Sequence, residues 1–330
     1  MPACSKAKNP QGIEIIFTEE DHRYTSIIDG KEIVYVSGTT FLGKYFPLFD
    51  PTGKITERCA KKQGISVKEL KKLWKDKADK ACVFGTKVHE TIEDHILGRE
   101  YRNKYSDQKE KICFEYAKKM GAKLLKSLDI IGVEKIVFNP ELRIAGTIDL
   151  LGRSKKTGKY IIIDHKTNEK PIDESNIYKS FCLDPISNVP DTSFGHYSLQ
   201  LNLYSYLLKE GGYVDKNSEF EYYLNHITVN GVKLIKLPDL QKEIKLIISD
   251  YKNILDKWFF VIGFYLIYKK YYTTEKSQPY LVVDMNSLYV FHLIKNVNKK
   301  SDILSCISDF KNGTSTFIWK CYSIGSQTWQ

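Results

Sequence analysis

The sequence has few of the features that mark secreted, disulfide-rich or zinc-thiolate proteins. Its seven cysteines are odd in number, and no two of them form a C-x-x-C pair. Disulfide scaffolds and structural zinc sites need paired cysteines at short, regular spacing. The cysteine pattern therefore predicts free thiols in a reducing compartment.

Long apolar runs are also scarce. The first ten residues, MPACSKAKNP, contain no apolar core of the kind that a secretory signal requires. Residues 258–268 are apolar but fall short of the roughly 20 residues that span a bilayer, so we interpret them as a buried element. We expect no membrane partner, and a location in the cytosol or, for a viral or phage protein, in the interior of the host cell.

The balance of charge is basic. Lysine and arginine number 50 against 40 aspartates and glutamates, which gives a net charge of +10 and an isoelectric point near 9.0. This balance suits a polyanionic partner. Two groups of lysines recur at helical spacing and are interpreted either as phosphate contacts or as solvated helix faces: Lys68, Lys71, Lys72 and Lys75, and Lys118, Lys119, Lys123 and Lys126.

Two apolar, β-branched runs, residues 143–153 and 159–167, are separated by a polar turn and predict a β-hairpin. Each run carries one acid, Asp149 in the first and Asp164 in the second. Because strand side chains alternate between faces, Asp164 and Lys166 point the same way and His165 points to the other side. The hairpin therefore gathers two carboxylates and one ammonium.

These residue types suit the hydrolysis of a phosphodiester bond. Mg²⁺ is usually held by one or two carboxylates and waters, which predicts Asp149 and Asp164 as its ligands. A lysine beside the metal, here Lys166, can orient or deprotonate the attacking water and neutralise charge that develops on the phosphate. The alternative for an isolated D-x-K triplet is a surface hairpin with an incidental ion pair.

Four blocks in the chain resemble the motifs of the PD-(D/E)XK nuclease superfamily, in particular its RecB-like and lambda-exonuclease-like branch. The blocks are residues 85–93 (GTKVHETIE), 146–149 (GTID), 164–167 (DHKT) and 200–204 (QLNLY). They follow the family's order and approximate spacing. The amino-terminal segment, with Asp29-Gly30 and residues 36–42, resembles phage and mitochondrial members.

The resemblance implies a role for each matching residue. His89, Asp149 and Asp164 become metal ligands together with the backbone carbonyl of His165, and Lys166 becomes the catalytic lysine. The metal is expected to be Mg²⁺, which Mn²⁺ can replace. The imidazole of His165, on the opposite face of the strand, is expected to pack rather than react.

Three further residues have two interpretations each. Glu93 lies one helical turn beyond His89, so it either contacts the metal or its waters or is an ordinary surface glutamate. Gln200 and Tyr204 lie on one face of an amphipathic helix, where Tyr204 would ordinarily join the apolar face. The resemblance instead favours contact with nucleic acid or support of the active-site strands.

Some RecB-like relatives hold an iron–sulfur cluster with one upstream and three closely spaced downstream cysteines. This chain lacks the downstream trio, so we expect no iron–sulfur cluster.

The pattern predicts an α/β fold with a PD-(D/E)XK, restriction-endonuclease-like core, in which a central mixed β-sheet is flanked by helices. Residues 13–37 predict paired strands around Asp29-Gly30, followed by a short helix that Ser37 caps and that runs to Phe46. Helices are expected over 66–97, 106–128 and 239–257, a first core strand over 132–139 and a strand pair over 220–237. We divide the chain into a nuclease domain, 1–257, and a carboxyl-terminal extension of unknown role, 258–330.

The favoured function is a metal-dependent DNA nuclease, more specifically an exonuclease that processes DNA ends in recombination, replication or repair. Recombination or replication proteins are possible partners. A structure-specific endonuclease or resolvase is the main alternative within the nucleases. A protein that binds nucleic acid without cleaving it is the alternative from another class, and the intact set of Asp149, Asp164 and Lys166 argues against it.

Overall fold

The structure is a computed structural model that describes residues 4–48, 53–175 and 179–254, and the backbone of three strands further along the chain. The chain divides into two compact units, residues 1–247 and 248–330. In the second unit β-strands cover Tyr280–Asp284, Val290–Ile294 and Thr316–Trp319, and the first of these pairs antiparallel with each of the others.

The first unit begins with an antiparallel meander. Its elements are β1 (Cys4–Lys8), β2 (Glu14–Thr18), β3 (Arg23–Ile28), β4 (Lys31–Ser37) and the short helix α1 (Gly38–Gly43). Asp29 and Gly30 both have positive φ in the turn between β3 and β4, a conformation that aspartate and glycine tolerate. Ser37 caps α1, because its side chain accepts the backbone N–H of Thr40.

Three helices follow: α2 (Lys54–Gln63), α3 (Val67–Ile96) and α4 (Gln108–Ser127). Gly64 ends α2 in the left-handed conformation, and Ser66 and Glu69 form a capping box that starts α3. Asp107 caps α4 through the backbone N–H of Glu110. Local sequence therefore sets where each of these helices begins.

The core of the sheet comes next in the chain. Its elements are β5 (Leu128–Asn139), β6 (Ile144–Ser154), β7 (Tyr160–Lys166), helix α5 (Ser193–Glu210), β8 (Phe220–Thr228) and β9 (Gly231–Leu237). Residues 241–254 are helical. The strand order is β1-β2-β3-β4-β6-β7-β8-β9, with β5 on the remaining edge of β6. The pairs β4–β6 and β7–β8 are parallel and the others antiparallel, so the sheet is mixed.

Helices cover both faces of this core. Val88 and Ile92 of α3 and Phe114 of α4 pack with Ile161 and Ile163 of β7. On the opposite face, Ser205 of α5 hydrogen-bonds Tyr222 of β8 at 2.7 Å. Within the residues that the structure describes, no helix has the length and apolar character needed to cross a bilayer.

Strand β6 has a gap in its pairing that positions the site. Along one edge it pairs with β5, whereas on the other it pairs with β4 only at Ile144 and Ala145 and with β7 only from Leu150 onward. Residues 146–149 therefore have no strand partner on that edge. The regular ladder is therefore interrupted where Asp149 lies, and this gap between β6 and β7 is called the cleft below.

The fold class predicted from the sequence is confirmed, and the differences concern boundaries and two additional elements. The helix that follows Ser37 ends at Gly43, not Phe46, and the strand predicted from Gly132 begins at Leu128. Strand β1 and helix α2 were not predicted. The expectation for residues 258–268 lies outside the described residues.

Candidate functional site

The two acids of the hairpin lie just where its strands separate. The last antiparallel pair is Leu150 with Ile163, so Asp149 and Asp164 are the next residues on each strand. The Oδ2 atom of Asp149 accepts the backbone N–H of His165 at 2.8 Å. This bond fixes one carboxylate against the strand that carries the other, and both face the cleft.

Lys166 and Asp164 form a buried ion pair on the face of β7 that α5 covers. The Nζ atom of Lys166 lies 2.5 Å from Oδ2 of Asp164 and 4.6 Å from the centre of the Tyr197 ring. Burial alone would lower the pKa of Lys166, but the Asp164 and Asp149 carboxylates outweigh it and raise that pKa. Burial, and the charge of Asp149, raise the pKa of Asp164 against the opposing effect of the lysine.

His89 of α3 closes the cleft from the other side. Its Nε2 atom lies 2.8 Å from the carbonyl oxygen of His165, and its Nδ1 atom lies 3.3 Å from Oδ2 of Asp149. The histidine and the carbonyl that the sequence predicts as ligands are thus neighbours. They lie 76 positions apart in the chain.

The imidazole of His165 points away from the cleft acids, as strand alternation predicts. It is buried, and Nδ2 of Asn225 donates a hydrogen bond of 2.9 Å to its Nδ1 atom. Burial lowers the pKa of His165 to about 3, with the charge of His89 as a second cause. The ring is therefore neutral at physiological pH and holds the strand in place.

Glu134 is a site residue that sequence reasoning missed. It lies on β5 between the pairs Val133–Leu150 and Lys135–Ile148, which places it opposite Asp149. Its φ angle is +48°, so the backbone is in the left-handed region, which costs a non-glycine residue free energy. A register shift near Gly132 accompanies it. An isolated glycine within a strand pattern indicates a bulge, so Gly132 was a signal for the register shift but not for the approach of Glu134 to Asp149.

The pKa of Glu134 is unusually high for an exposed carboxylate. Desolvation by the protein atoms that line the cleft, followed by the charges of Asp149, Glu93 and Asp164, raises the pKa of Glu134 to about 8. Such crowding of carboxylates is unfavourable without a cation. The cleft therefore favours either a bound proton or a bound metal ion.

The side chains in the cleft fit a hard divalent cation. One ligand atom each from His89, Glu134 and Asp149 lies within 4.8 Å of the other two. The Oδ2 atom of Asp164 is buried without a hydrogen bond of ordinary geometry among the described residues, despite the nearby lysine. Carboxylate and carbonyl oxygens with one imidazole are ligands typical of Mg²⁺ or Mn²⁺.

Residues 68–260, more than half of the chain, match the family model of the PD-(D/E)XK nuclease superfamily. The chain belongs to this superfamily. It therefore carries a nuclease domain, which hydrolyses nucleic acid. Members of the superfamily generally use divalent metal ions. A comparison with curated proteins finds no matching sequence. The RecB-like and lambda-exonuclease-like branch stays a prediction.

Glu93 of the nuclease faces the cleft but is held by arginines. Its carboxylate forms ion pairs with Arg102 and, at 3.5 Å, with Arg99. Arg102 also bonds the buried carboxylate of Asp94 at 2.9 Å. Direct ligation of a metal by Glu93 would compete with these arginines, and contact through a water stays a prediction.

Gln200 and Tyr204 meet each other on α5 and support the active-site strands. The Nε2 atom of Gln200 donates to the hydroxyl of Tyr204 at 3.1 Å. Tyr204 is 5% exposed, and a Cβ atom at Gly146 would lie 2.4 Å from its Cε1 atom. Because Gly146 has no side chain, the Tyr204 ring can occupy the space next to β6 three residues before Asp149. A contact of either residue with nucleic acid stays a prediction.

Proposed function

We propose that this nuclease is a divalent-metal-dependent deoxyribonuclease of the RecB-like and lambda-exonuclease-like branch. More specifically, we propose an exonuclease that processes DNA ends in recombination, replication or repair, within the cytosol or the interior of a host cell. The observation that carries the proposal is the contact of His89 with Asp149 in the gap between β6 and β7, at the strand positions next to the Asp164–Lys166 ion pair.

His89, Asp149, Asp164 and the carbonyl of His165 would hold the metal ion, and we add Glu134 to this set. The ion, Mg²⁺ with Mn²⁺ as a substitute, would supply Lewis acidity and a water of lowered pKa. The hydrogen bond from the His165 N–H to Asp149 and the contact of His89 with the His165 carbonyl hold three of these donors in place before any ion arrives. Such preorganisation lowers the free-energy cost of binding.

Hydrolysis adds a water oxygen to phosphorus and releases the sugar oxygen of the neighbouring nucleotide, with negative charge accumulating on the phosphate. Lys166 lies beside Asp164 in the cleft, and its ammonium would stabilise the negative charge on the phosphate. The Tyr197 ring and the Asp164 carboxylate both contact the ammonium. Lys166 therefore acts as a positioned charge in this proposal.

End-labelled linear duplex and covalently closed circular duplex, each incubated with Mg²⁺ or with excess chelator, test the proposal. We expect linear DNA to be shortened progressively to small products, circles to survive, and chelator to stop the reaction. Ca²⁺ should support binding with little cleavage, because its looser coordination positions water poorly. The test variant is Asp149→Asn, which should be inactive. Its matched control is Asp129→Asn, which changes an exposed acid near the start of β5 and should be fully active.

The other outcomes separate the alternatives. Rapid cutting of closed circles would replace the exonuclease with an endonuclease or resolvase. Full activity in chelator would overturn the metal requirement. Salt-sensitive binding without cleavage of any DNA or RNA would assign the chain to non-catalytic nucleic-acid binding.

A further inference from the structure

The loop between α3 and α4, residues 97–107, is fastened to α3 by polar contacts. The backbone N–H of Arg102 donates to Asp94 at 2.8 Å, and Nδ2 of Asn103 donates to Glu90 at 2.6 Å. The hydroxyl of Tyr101 lies 2.8 Å from Nδ1 of His95. The loop is therefore preorganised on the helix that carries His89.

A cavity of about 320 Å³ lies between this loop and the two helices. It is lined by Thr91, Tyr101, Asn103, Lys104, Tyr105, Phe114 and Lys118. Tyr101 is 40% exposed and Tyr105 is 52% exposed, which is high for large aromatic side chains. The volume lies at the lower end of the range of about 300–1,000 Å³ for small-molecule pockets.

The cavity combines aromatic rings with positive charge. The Nζ atom of Lys118 lies 4.6 Å from the centre of the Tyr101 ring, and that of Lys111 lies 5.7 Å from the centre of the Tyr105 ring. None of the lining residues is acidic, although Lys118 also pairs with Glu115 on its outer side at 2.8 Å. Lys104 makes no ion pair with any residue that the structure describes.

The cavity lies on a different face of α3 from the cleft, because Thr91, the residue of α3 that lines the cavity, is rotated by about 200° from His89. Successive residues of a helix are rotated by about 100°, so Glu90 faces the loop while His89 faces the cleft. Arg102 joins the two regions, because it contacts both Glu90 and Glu93.

We infer that this cavity binds an unpaired nucleotide of the nucleic-acid strand, with its base stacked on Tyr105 and its phosphate near Lys104 and Lys118. The Tyr101 ring, which stacks on His95, forms the adjoining wall. The inference rests on the proposed function and names the form of nucleic acid that the nuclease holds outside its cleft. Aromatic faces with nearby cations bind bases of any sequence, whereas paired bases cannot present their faces.

Fluorescence anisotropy with labelled oligothymidylate and with a blunt duplex of equal length tests the inference in chelator, where binding is measured without cleavage. Tyr105→Ala and Tyr101→Ala should each weaken oligothymidylate binding by about 5-fold to 100-fold. Duplex binding should change by less than the single-strand binding does. Tyr101→Phe keeps the ring and loses the bond to His95, so it should bind as the unaltered protein does.

Charge is tested separately with a matched pair of lysines. Lys104→Ala should weaken binding and lower the slope of log affinity against log salt by about 0.7, the value for one phosphate contact on a single strand. Lys156→Ala makes the same change in the turn between β6 and β7, roughly 20 Å along the strand from Lys166, and should leave the slope unaltered. Thermal melts of every variant verify that it is folded.

Unchanged single-strand affinity in both tyrosine variants would overturn the inference, as would an equal loss with duplex. Equal effects of Lys104→Ala and Lys156→Ala on the salt slope would show that Lys104 acts through long-range attraction and not through a phosphate contact in the cavity, and would overturn the inference. Displacement of oligothymidylate by polyglutamate at the same charge concentration would assign the cavity to an acidic peptide. Failure of the proposed function is a different result, in which the tyrosine-dependent binding persists but no DNA is cut.

Discussion

At the scale of single residues, Glu134 contributes to the pH dependence of stability in the metal-free protein. Its pKa is raised from 4.5 to about 8 in the fold. A carboxyl whose folded pKa is raised holds its proton more tightly in the fold than in the unfolded chain, so its contribution to stability is present below pH 4.5 and is lost as the pH rises to about 8. Glu134→Gln removes this loss.

We therefore predict that Glu134→Gln raises the melting temperature of metal-free protein at pH 8 by about 2–4 °C, and by less at pH 5. This corresponds to about 1 kcal/mol after allowance for solvent screening of an exposed group. Thermal melts at the two pH values in chelator measure it. Glu20→Gln, in the exposed turn after β2, is the control, and a gain that did not depend on pH would contradict the prediction.

Lys166 is a cation and Asp164 a proposed metal ligand, so their variants should differ in metal affinity. Lys166→Ala should lower the turnover number by about 100-fold to 1,000-fold, the usual cost of losing one electrostatic contact to a transition state. Its affinity for Mn²⁺ should be unchanged or higher, because a positive charge has been removed. Asp164→Asn should lose both turnover and metal affinity.

Calorimetric titration with Mn²⁺ and single-turnover cleavage of linear DNA separate the two effects. Lys156→Ala is the matched lysine control. Near-normal turnover in Lys166→Ala would remove the lysine from the mechanism, and unaltered Mn²⁺ affinity in Asp164→Asn would remove that acid from the ligand set.

At the scale of elements, α5 is joined to β6 by a ring inserted against a glycine. We predict that Gly146→Ala lowers stability by about 1–3 kcal/mol, because the new methyl group would displace the Tyr204 ring and overpack the core. Tyr204→Ala alone should cost about 3–5 kcal/mol through the cavity that it leaves.

A double-mutant cycle measures this contact. The two substitutions together should cost less than the sum of their separate effects, since the methyl group then occupies part of the vacated space. Tyr204→Phe loses only the bond from Gln200 and should melt within a few degrees of the unaltered protein. Strict additivity in chemical denaturation would show that the two positions do not interact.

The elements that sequence reasoning located are those whose signals are local. The hairpin acids Asp149 and Asp164 occur in β-branched runs with a turn between them. Ser66 and Glu69 form the capping box at the start of α3. Strand β1 has a polar sequence, CSKAK, whose structure depends on its partner β2. The pairing of Glu93 with Arg102 and the approach of Glu134 to Asp149 arise from tertiary contacts, which no local pattern contains.

At the scale of the whole molecule, we expect net charge to govern the salt dependence of nucleic-acid binding. With a charge of +10, affinity for duplex DNA should fall linearly on a log–log plot as salt rises. The exposed lysines Lys68, Lys72 and Lys75 lie on the half of α3 that precedes Gly85. A Cβ atom at Gly85 would lie 3.3 Å from the hydroxyl oxygen of Thr167, just after β7. If this half contacts the backbone, Lys72→Ala should lower the slope by about 0.9.

Filter binding across a range of salt concentrations measures the slope, with Lys156→Ala as the control. An unaltered slope in Lys72→Ala would assign these lysines to a solvated helix face, which is the alternative interpretation of their spacing.

The contact between His89 and the carbonyl of His165 joins parts of the chain that a ribosome makes at different times. The histidine leaves the exit tunnel first, and the strands with Glu134, Asp149 and Asp164 follow it. At about 5–20 residues per second, the intervening 76 positions take several seconds to synthesise. During that interval the nascent polypeptide has a helix but no cleft. The acids and the lysine of the candidate site are therefore complete only when β7 has been translated.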